Sequence, residues 1–170
     1  MMNRQDVITL YEYNQWANNR ILRAAGKLGA AQLMEPTEWL SGKTLLNTMT
    51  HVLDAEWSWR LVCQEGAMPG TYLEFADLAA LKRAWREEMR HMLAYVSLLA
   101  DEQLNQMHTF TRPRFQPRHR LLGHILTHIV NHSTHHRAEI GQYLGLCGYS
   151  PGDMDFMIFV GKQAQKARSV

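Results

Sequence analysis

Cysteine is scarce in this chain: there are two, Cys63 and Cys147, far apart and in no metal or redox spacing. That excludes a disulfide-rich scaffold and a thiolate metal motif, and a reduced, cytoplasmic protein is the expectation. Long apolar runs are missing too. No window stays apolar for the roughly 18 residues that a membrane span requires, and Met1-Met2-Asn3-Arg4-Gln5-Asp6 holds no apolar signal core. Neither a membrane span nor secretion is expected. Charge of one sign is also missing, since 18 Lys and Arg against 16 Asp and Glu leave a net charge of +2. No nucleic-acid partner is expected. The one basic cluster, Arg112, Arg114, Arg118 and Arg120, sits among prolines and reads as a solvated loop; a phosphate-binding strip needs a longer basic face.

Several chemical motifs are likewise absent. No Ser or Cys stands in a nucleophile motif. Ser41-Gly42-Lys43-Thr44 looks like the tail of a phosphate-binding loop, but Thr37 stands where that motif needs Gly and no strand precedes it. A carboxylate-bridged di-metal site needs two Glu-x-x-His motifs, and only Glu88 to His91 qualifies.

What is present is helical patterning. The 170 residues, 46% apolar, suit one domain over 1–170. Residues 4–28 carry Val7, Ile8, Tyr11, Trp16, Ile21, Leu22 and Ala25 at spacings of mostly three or four, with Gly29 as the stop. A second helix runs from the N-cap Thr44 to about Gln64, with Gly66 past its end. A third starts near Asp77 and repeats Leu78, Leu81, Trp85, Met89, Met92, Val96 and Leu99 to about Ala100. A fourth spans roughly 119–146. Met154 to Val160 forms a short fifth helix capped by Asp153, which either closes the bundle or offers a dimer face. The connections 30–43, 66–76 and 101–118 hold Pro36, Pro69, Pro113 and Pro117, and the last carries a short extended piece at Thr109–Thr111. The expected fold is all-α: a four-helix bundle with a short additional C-terminal helix.

Five of the nine histidines fall within His124–His136. With His124 at zero on a helical wheel, His128 lies at roughly 40°, His132 at roughly 80°, His135 at roughly 20° and His136 at roughly 120°. Ile125, Ile129, Leu122, Ile140 and Tyr143 lie at roughly 100–160°. His132 and His136 therefore fall inside the apolar face, His124 and His135 at its polar edge, and His128 between. Two inward imidazoles four residues apart can reach one metal ion. Alternatively, they hydrogen-bond each other, a water or another helix. A third ligand would come from elsewhere: His51 beside the apolar face of the second helix, His91 on the third, or His108 and His119 in or near the long connection. Three imidazoles would leave an open position, the mark of a catalytic metal. Trp16, Trp57, Trp59 and Trp85 read as core, with Trp59, two turns beyond His51, a possible pocket wall.

Motifs along nearly the whole chain resemble the DinB/YfiT-like metalloproteins. They are Tyr13-Asn14-Gln15-Trp16-Ala17-Asn18, the run from Thr44 to His51, Asn131-His132 through His135-His136-Arg137, and Gly148 through Asp155. The resemblance implies a four-helix bundle, often a homodimer, with a divalent metal on His51, His132 and His136; His135 matches a non-ligand position. Zinc and nickel suit three imidazoles about equally. Some relatives use the metal to activate a low-molecular-weight thiol, so an S-transferase or isomerase acting on a small-molecule substrate is the leading expectation. Metal-dependent hydrolysis is the weaker one, and a non-catalytic stress-response module the alternative of another class. Where the family reads Gly-Gln, this chain has Ala138-Glu139. Glu139 is then a solvated carboxylate, or one that contacts the site or orients His132.

Overall fold

Side chains close the ends of the long helices largely where the sequence placed them. In the computed structural model, which describes residues 2–168, α1 covers Arg4–Ala25 and starts at Asn3, whose Oδ1 accepts from the Asp6 amide at 2.9 Å. Its periodicity runs on past the helix because the next residues continue as tighter turns: the Lys27 and Leu28 amides donate to Ala24 and Ala25 carbonyls at 3.1 and 3.2 Å. A five-residue helix α2 (Ala30–Met34) and one 3-10 turn (Glu38–Leu40) occupy the stretch read as a plain loop. Helix α3 (Leu45–Glu65) is capped by Thr44, which accepts from the Asn47 amide at 3.0 Å, and ends at Gly66. Gly66 takes φ +72°, the left-handed conformation that L side chains resist. Asp77 caps α4 (Leu78–Ser97), accepting from the Ala80 amide at 2.7 Å.

The connection after α4 departs most from expectation. It contains a helical turn α5 (Asp101–Leu104) and an antiparallel hairpin of β1 (Met107–Phe110) and β2 (Arg118–Leu121). The extended piece foreseen at Thr109–Thr111 is thus part of a paired strand. Residues 119–121, assigned to the fourth helix, belong to β2. No side chain caps the helix that follows, α6 (Leu122–Leu146); β2 feeds directly into it, so its start carries no capping signature. Gly123 lets α5 approach, since a Cβ there would sit 3.0 Å from the Leu104 carbonyl oxygen. The last helix, α7, spans Phe156–Arg168. Its cap is Asp155 rather than Asp153: the Asp155 carboxylate accepts from the Met157 amide at 2.7 Å. No helix is long and apolar enough to cross a membrane among the described residues.

Helices α1, α3, α4 and α6 form the bundle. Both α1 and α3 pack against α4 and α6, so α1 and α3 face each other across the centre. The core is aliphatic and aromatic at both ends, from Val7, Val96 and Leu126 to Ile21, Met49 and Ile140. Trp85 is fully buried, as expected; Trp16, Trp57 and Trp59 are half-buried. Phe159 of α7 packs on Tyr13 and Trp16 (6.0 and 5.7 Å between ring centroids), leaving Met157, Ile158 and Val160 exposed. Arg60 and Glu88 tie α3 to α4 in a bidentate ion pair at 2.6 and 2.7 Å, which commits Glu88 and leaves no Glu-x-x-His site with His91.

Candidate metal centre

A polar knot lies at the middle of the bundle. The Glu56 carboxylate on α3 is 3% exposed. Its Oε1 accepts from Asn14 Nδ2 (2.7 Å) and Asn18 Nδ2 (3.0 Å) of α1 and from Ser133 Oγ (2.8 Å) of α6; its Oε2 accepts from Trp85 Nε1 (2.7 Å) of α4. One carboxylate is thus bonded from each of the other three long helices. Arg137 of α6, also buried, donates from Nη1 to the Asn14 and Asn18 side-chain oxygens and from Nη2 to Thr134 Oγ1 at 2.7 Å. Unpaired burial of such groups would cost several kcal/mol, and here nearly every group is partnered.

This knot sets the rotation of α6. Ser133 and Arg137 each follow a histidine directly, about 100° round the helix. With both held at the bundle centre, His132 and His136 turn toward α3. The buried stripe of α6 is therefore centred near Ser133, Ile129 and Ile140, and the two histidines flank it. The expected inward face was displaced: His132 and His136 are half-buried and His51 is exposed. The sequence reading missed the knot, although Asn14/Asn18 and Ser133/Arg137 are polar pairs four apart on otherwise apolar faces.

His51, His132 and His136 come together at the α3–α6 seam. They present nitrogens that all lie within 4.8 Å of one another. The ring centroids are 5.2 Å apart for His51–His132, 4.8 Å for His51–His136 and 4.6 Å for His132–His136. The other histidines are used elsewhere. His108 Nε2 bonds the Val62 carbonyl at 2.7 Å, and His119 Nδ1 meets Thr109 Oγ1 at 2.8 Å across the hairpin. His91 and His124 are exposed. His128 is a neighbour, its ring 5.9 Å from His132 and 5.1 Å from Trp59.

Glu139 does meet the site, but through His136 and not His132. Its Oε2 lies 2.7 Å from His136 Nδ1, and its Oε1 lies 3.3 Å from exposed His135 Nε2. A carboxylate only accepts, so Nδ1 of His136 is the donor in this bond and Nε2 is the ring nitrogen left for an ion. These three residues form a second possible cluster on one helix, joined by the His136–Glu139 hydrogen bond and the longer His135–Glu139 contact.

The electrostatics favour neutral rings at His132 and His51. Burial, then the nearby His136 and His51 rings, pushes His132 down to about 4. Burial and His136 also lower His51. Among the described residues, His132 Nδ1 is buried without a hydrogen-bond partner. Three ring nitrogens within coordination reach of one another, two of them on rings held neutral by burial, and one unsatisfied ring nitrogen fit a divalent cation. One side of the cluster stays open, onto a cavity of about 560 Å³ that reaches His51, His132, His128 and Trp59.

The model of the DinB family matches residues 1–167. Two solved structures from Bacillus subtilis are similar in fold. One is YfiT, described as a probable metal-dependent hydrolase with an unusual four-helix bundle topology, at 19% identity and TM-score 0.69, covering 88% of this chain and 92% of that one. The other is the DinB-like protein YjoA, at 18% identity and TM-score 0.64, covering 83% of this chain and 92% of that one. No curated protein matches the chain.

Proposed function

The chain belongs to the DinB family, and from that premise we propose that it is a divalent-metal enzyme whose ion is held by His51, His132 and His136. The carrying observation is the convergence of three imidazoles, their nitrogens within 4.8 Å of one another, at the mouth of a cavity of about 560 Å³. When bound, zinc or nickel in a three-imidazole site supplies Lewis-acid chemistry and lowers the pKa of a water or thiol ligand toward neutrality. The protein's own groups do the rest. Glu139 fixes the His136 proton on Nδ1 and holds the ring in place. Asp54 pins the 66–76 loop beside the site, accepting from the Leu73 amide at 2.8 Å. Trp59 and His128 wall the cavity.

The preferred reaction is transfer or isomerisation through a low-molecular-weight thiol. The open cavity supports catalysis over a non-catalytic stress-response role, and Glu139 is spent on His136 and His135. Metal-dependent hydrolysis is the second reading, favoured by the description of YfiT. The reading includes a cytoplasmic setting, a small-molecule substrate and a second copy of the chain as partner, with the exposed apolar strip of Met157, Ile158 and Val160 as its face. Elemental analysis of untagged protein tests the base claim. About one zinc or nickel per chain, lost in His132→Ala, is expected; metal-free protein indifferent to that change would overturn it. A screen of thiols with electrophilic acceptors, beside simple esters and amides, separates the two reactions.

A further inference from the structure

The four arginines of the long connection are solvent-exposed as expected, Arg112 half-buried, but they sit on and beside a fixed hairpin and not on a free loop. The hairpin that carries them is fixed to the end of α3: the Met68 amide donates to the Thr111 carbonyl and the Thr111 amide to the Gly66 carbonyl, both at 2.9 Å. His108 on β1 adds its bond to the Val62 carbonyl. This anchoring sets the hairpin beside the end of α3, on the side where the imidazole site opens. Arg112 and Arg114 line the 560 Å³ cavity that also holds His51 and His132. Arg112, Arg118 and Arg120 line a second cavity of about 510 Å³. Trp59 and His128 belong to both, so the two form one groove running from the histidines to the arginines.

The charge in this groove is unbalanced. None of the four arginines forms an ion pair with a carboxylate among the described residues. The second cavity has no acidic residue in its lining. The first has only Asp54, which already accepts from the Leu73 amide. Arg112 and Arg118 instead rest over the Phe115 ring, at 5.3 and 5.8 Å. A concave site with uncompensated guanidinium groups at one end and an aromatic floor attracts an anion that also has an apolar body. Each cavity is of small-ligand size, which argues against a nucleic-acid strand.

We propose that this groove binds a small organic oxyanion. Its carboxylate or phosphate is held by Arg112, Arg118 and Arg120, its apolar body lies on Trp59, and its reacting group reaches His51, His132 and His136. The last clause rests on the metal-enzyme reading; the anion site does not.

Calorimetric titration of the full chain with 1-naphthoate, 1-naphthyl phosphate and neutral 1-naphthamide tests it. Both anions should bind at least about tenfold more tightly than the amide, a difference that shrinks with added salt. The tighter of the two identifies the head group. In Arg118→Gln/Arg120→Gln, exposed hairpin positions whose backbone pairing is untouched, anion affinity should fall about tenfold or more and amide affinity stay put. Titration repeated after chelation separates the two readings. Arginine-dependent binding that survives chelation supports the oxyanion site, even in a protein that proves to hold no metal. Anion binding lost on chelation and indifferent to the arginine change would place the anion elsewhere and overturn the proposal. So would equal affinity for the amide, or a short oligonucleotide that outcompetes both anions.

Discussion

Replacing Glu56 by Gln changes one atom at the centre of the bundle and should destabilise it severely. The amide oxygen can take the place of Oε1 and keep the Asn14, Asn18 and Ser133 donors. The amide nitrogen then faces Trp85 Nε1 at the 2.7 Å position of Oε2, donor against donor. A charge-assisted hydrogen bond is worth about 1.5–3 kcal/mol. The buried Arg137 guanidinium also loses the negative charge behind Asn14 and Asn18, and breaking a buried charge system costs about 3–5 kcal/mol. These terms overlap, so the net loss is about 3–5 kcal/mol, a large part of the about 5–15 kcal/mol typical of a domain. At about 2–4 °C per kcal/mol for a chain of this size, Tm drops by about 6–20 °C. Urea unfolding followed by circular dichroism should show a lower midpoint with an unchanged slope. Adding Trp85→Phe removes the opposed indole donor, so the double variant should lose less than the two single losses together, with a coupling of about 1–3 kcal/mol. A Glu56→Gln loss under about 1 kcal/mol, or strictly additive single changes, would refute the account of the knot.

Three further outcomes follow from the geometry. Glu139→Ala removes the acceptor that holds His136 Nδ1–H and should weaken metal binding about tenfold, the low end for such partners because the carboxylate is 42% exposed; Glu139→Gln, which retains an acceptor, should weaken it less, and equal metal affinities in a competition titration would dismiss the role. Gly66→Ala forces a side chain into φ +72° with its Cβ 3.3 Å from the Thr109 carbonyl, so calorimetry should find a loss of about 1–2 kcal/mol; an unchanged melting curve would contradict it. His132 sits at about 4 in the fold against an ordinary 6.5, so the unfolded chain binds more protons between those values and metal-free stability falls as pH drops from about 6.5 to 4. Subtracting the same series for His132→Asn isolates this slope, and a difference that stays flat across the window would rule it out.

The sequence carried most of the bundle because helix ends and apolar periods are local signals. Thr44, Gly66 and Asp77 act as read. The start of α6 was missed because Leu121 leaves β2 straight into the helix without a side-chain cap, so His119-Arg120-Leu121 looked like its first turn. The histidines were legible as a set but not in depth. A wheel built on apolar residues alone put the core stripe too close to them, because the true centre of α6 includes Ser133 and Arg137, polar residues that only Glu56, far away in the chain, makes burial-competent. The arginine groove was invisible for a similar reason: local composition reported prolines and solvent, while the backbone bonds from Gly66 and Met68 to Thr111 determine where the hairpin points.

The three clustered imidazoles come from chain segments made at different times. His51 leaves the ribosome well before His132 and His136, an interval of several seconds at about 5–20 residues per second. Until α6 is complete and docked, a nascent chain can bring together at most two of these three imidazoles, His132 and His136, and only if that stretch is transiently helical. An ion that binds these imidazoles therefore selects finished molecules over unfinished ones. Whatever affinity the loose pair retains in the unfolded chain is subtracted from the stabilisation the ion confers. Metal supply would then govern how long the completed protein lasts far more than how often its synthesis succeeds.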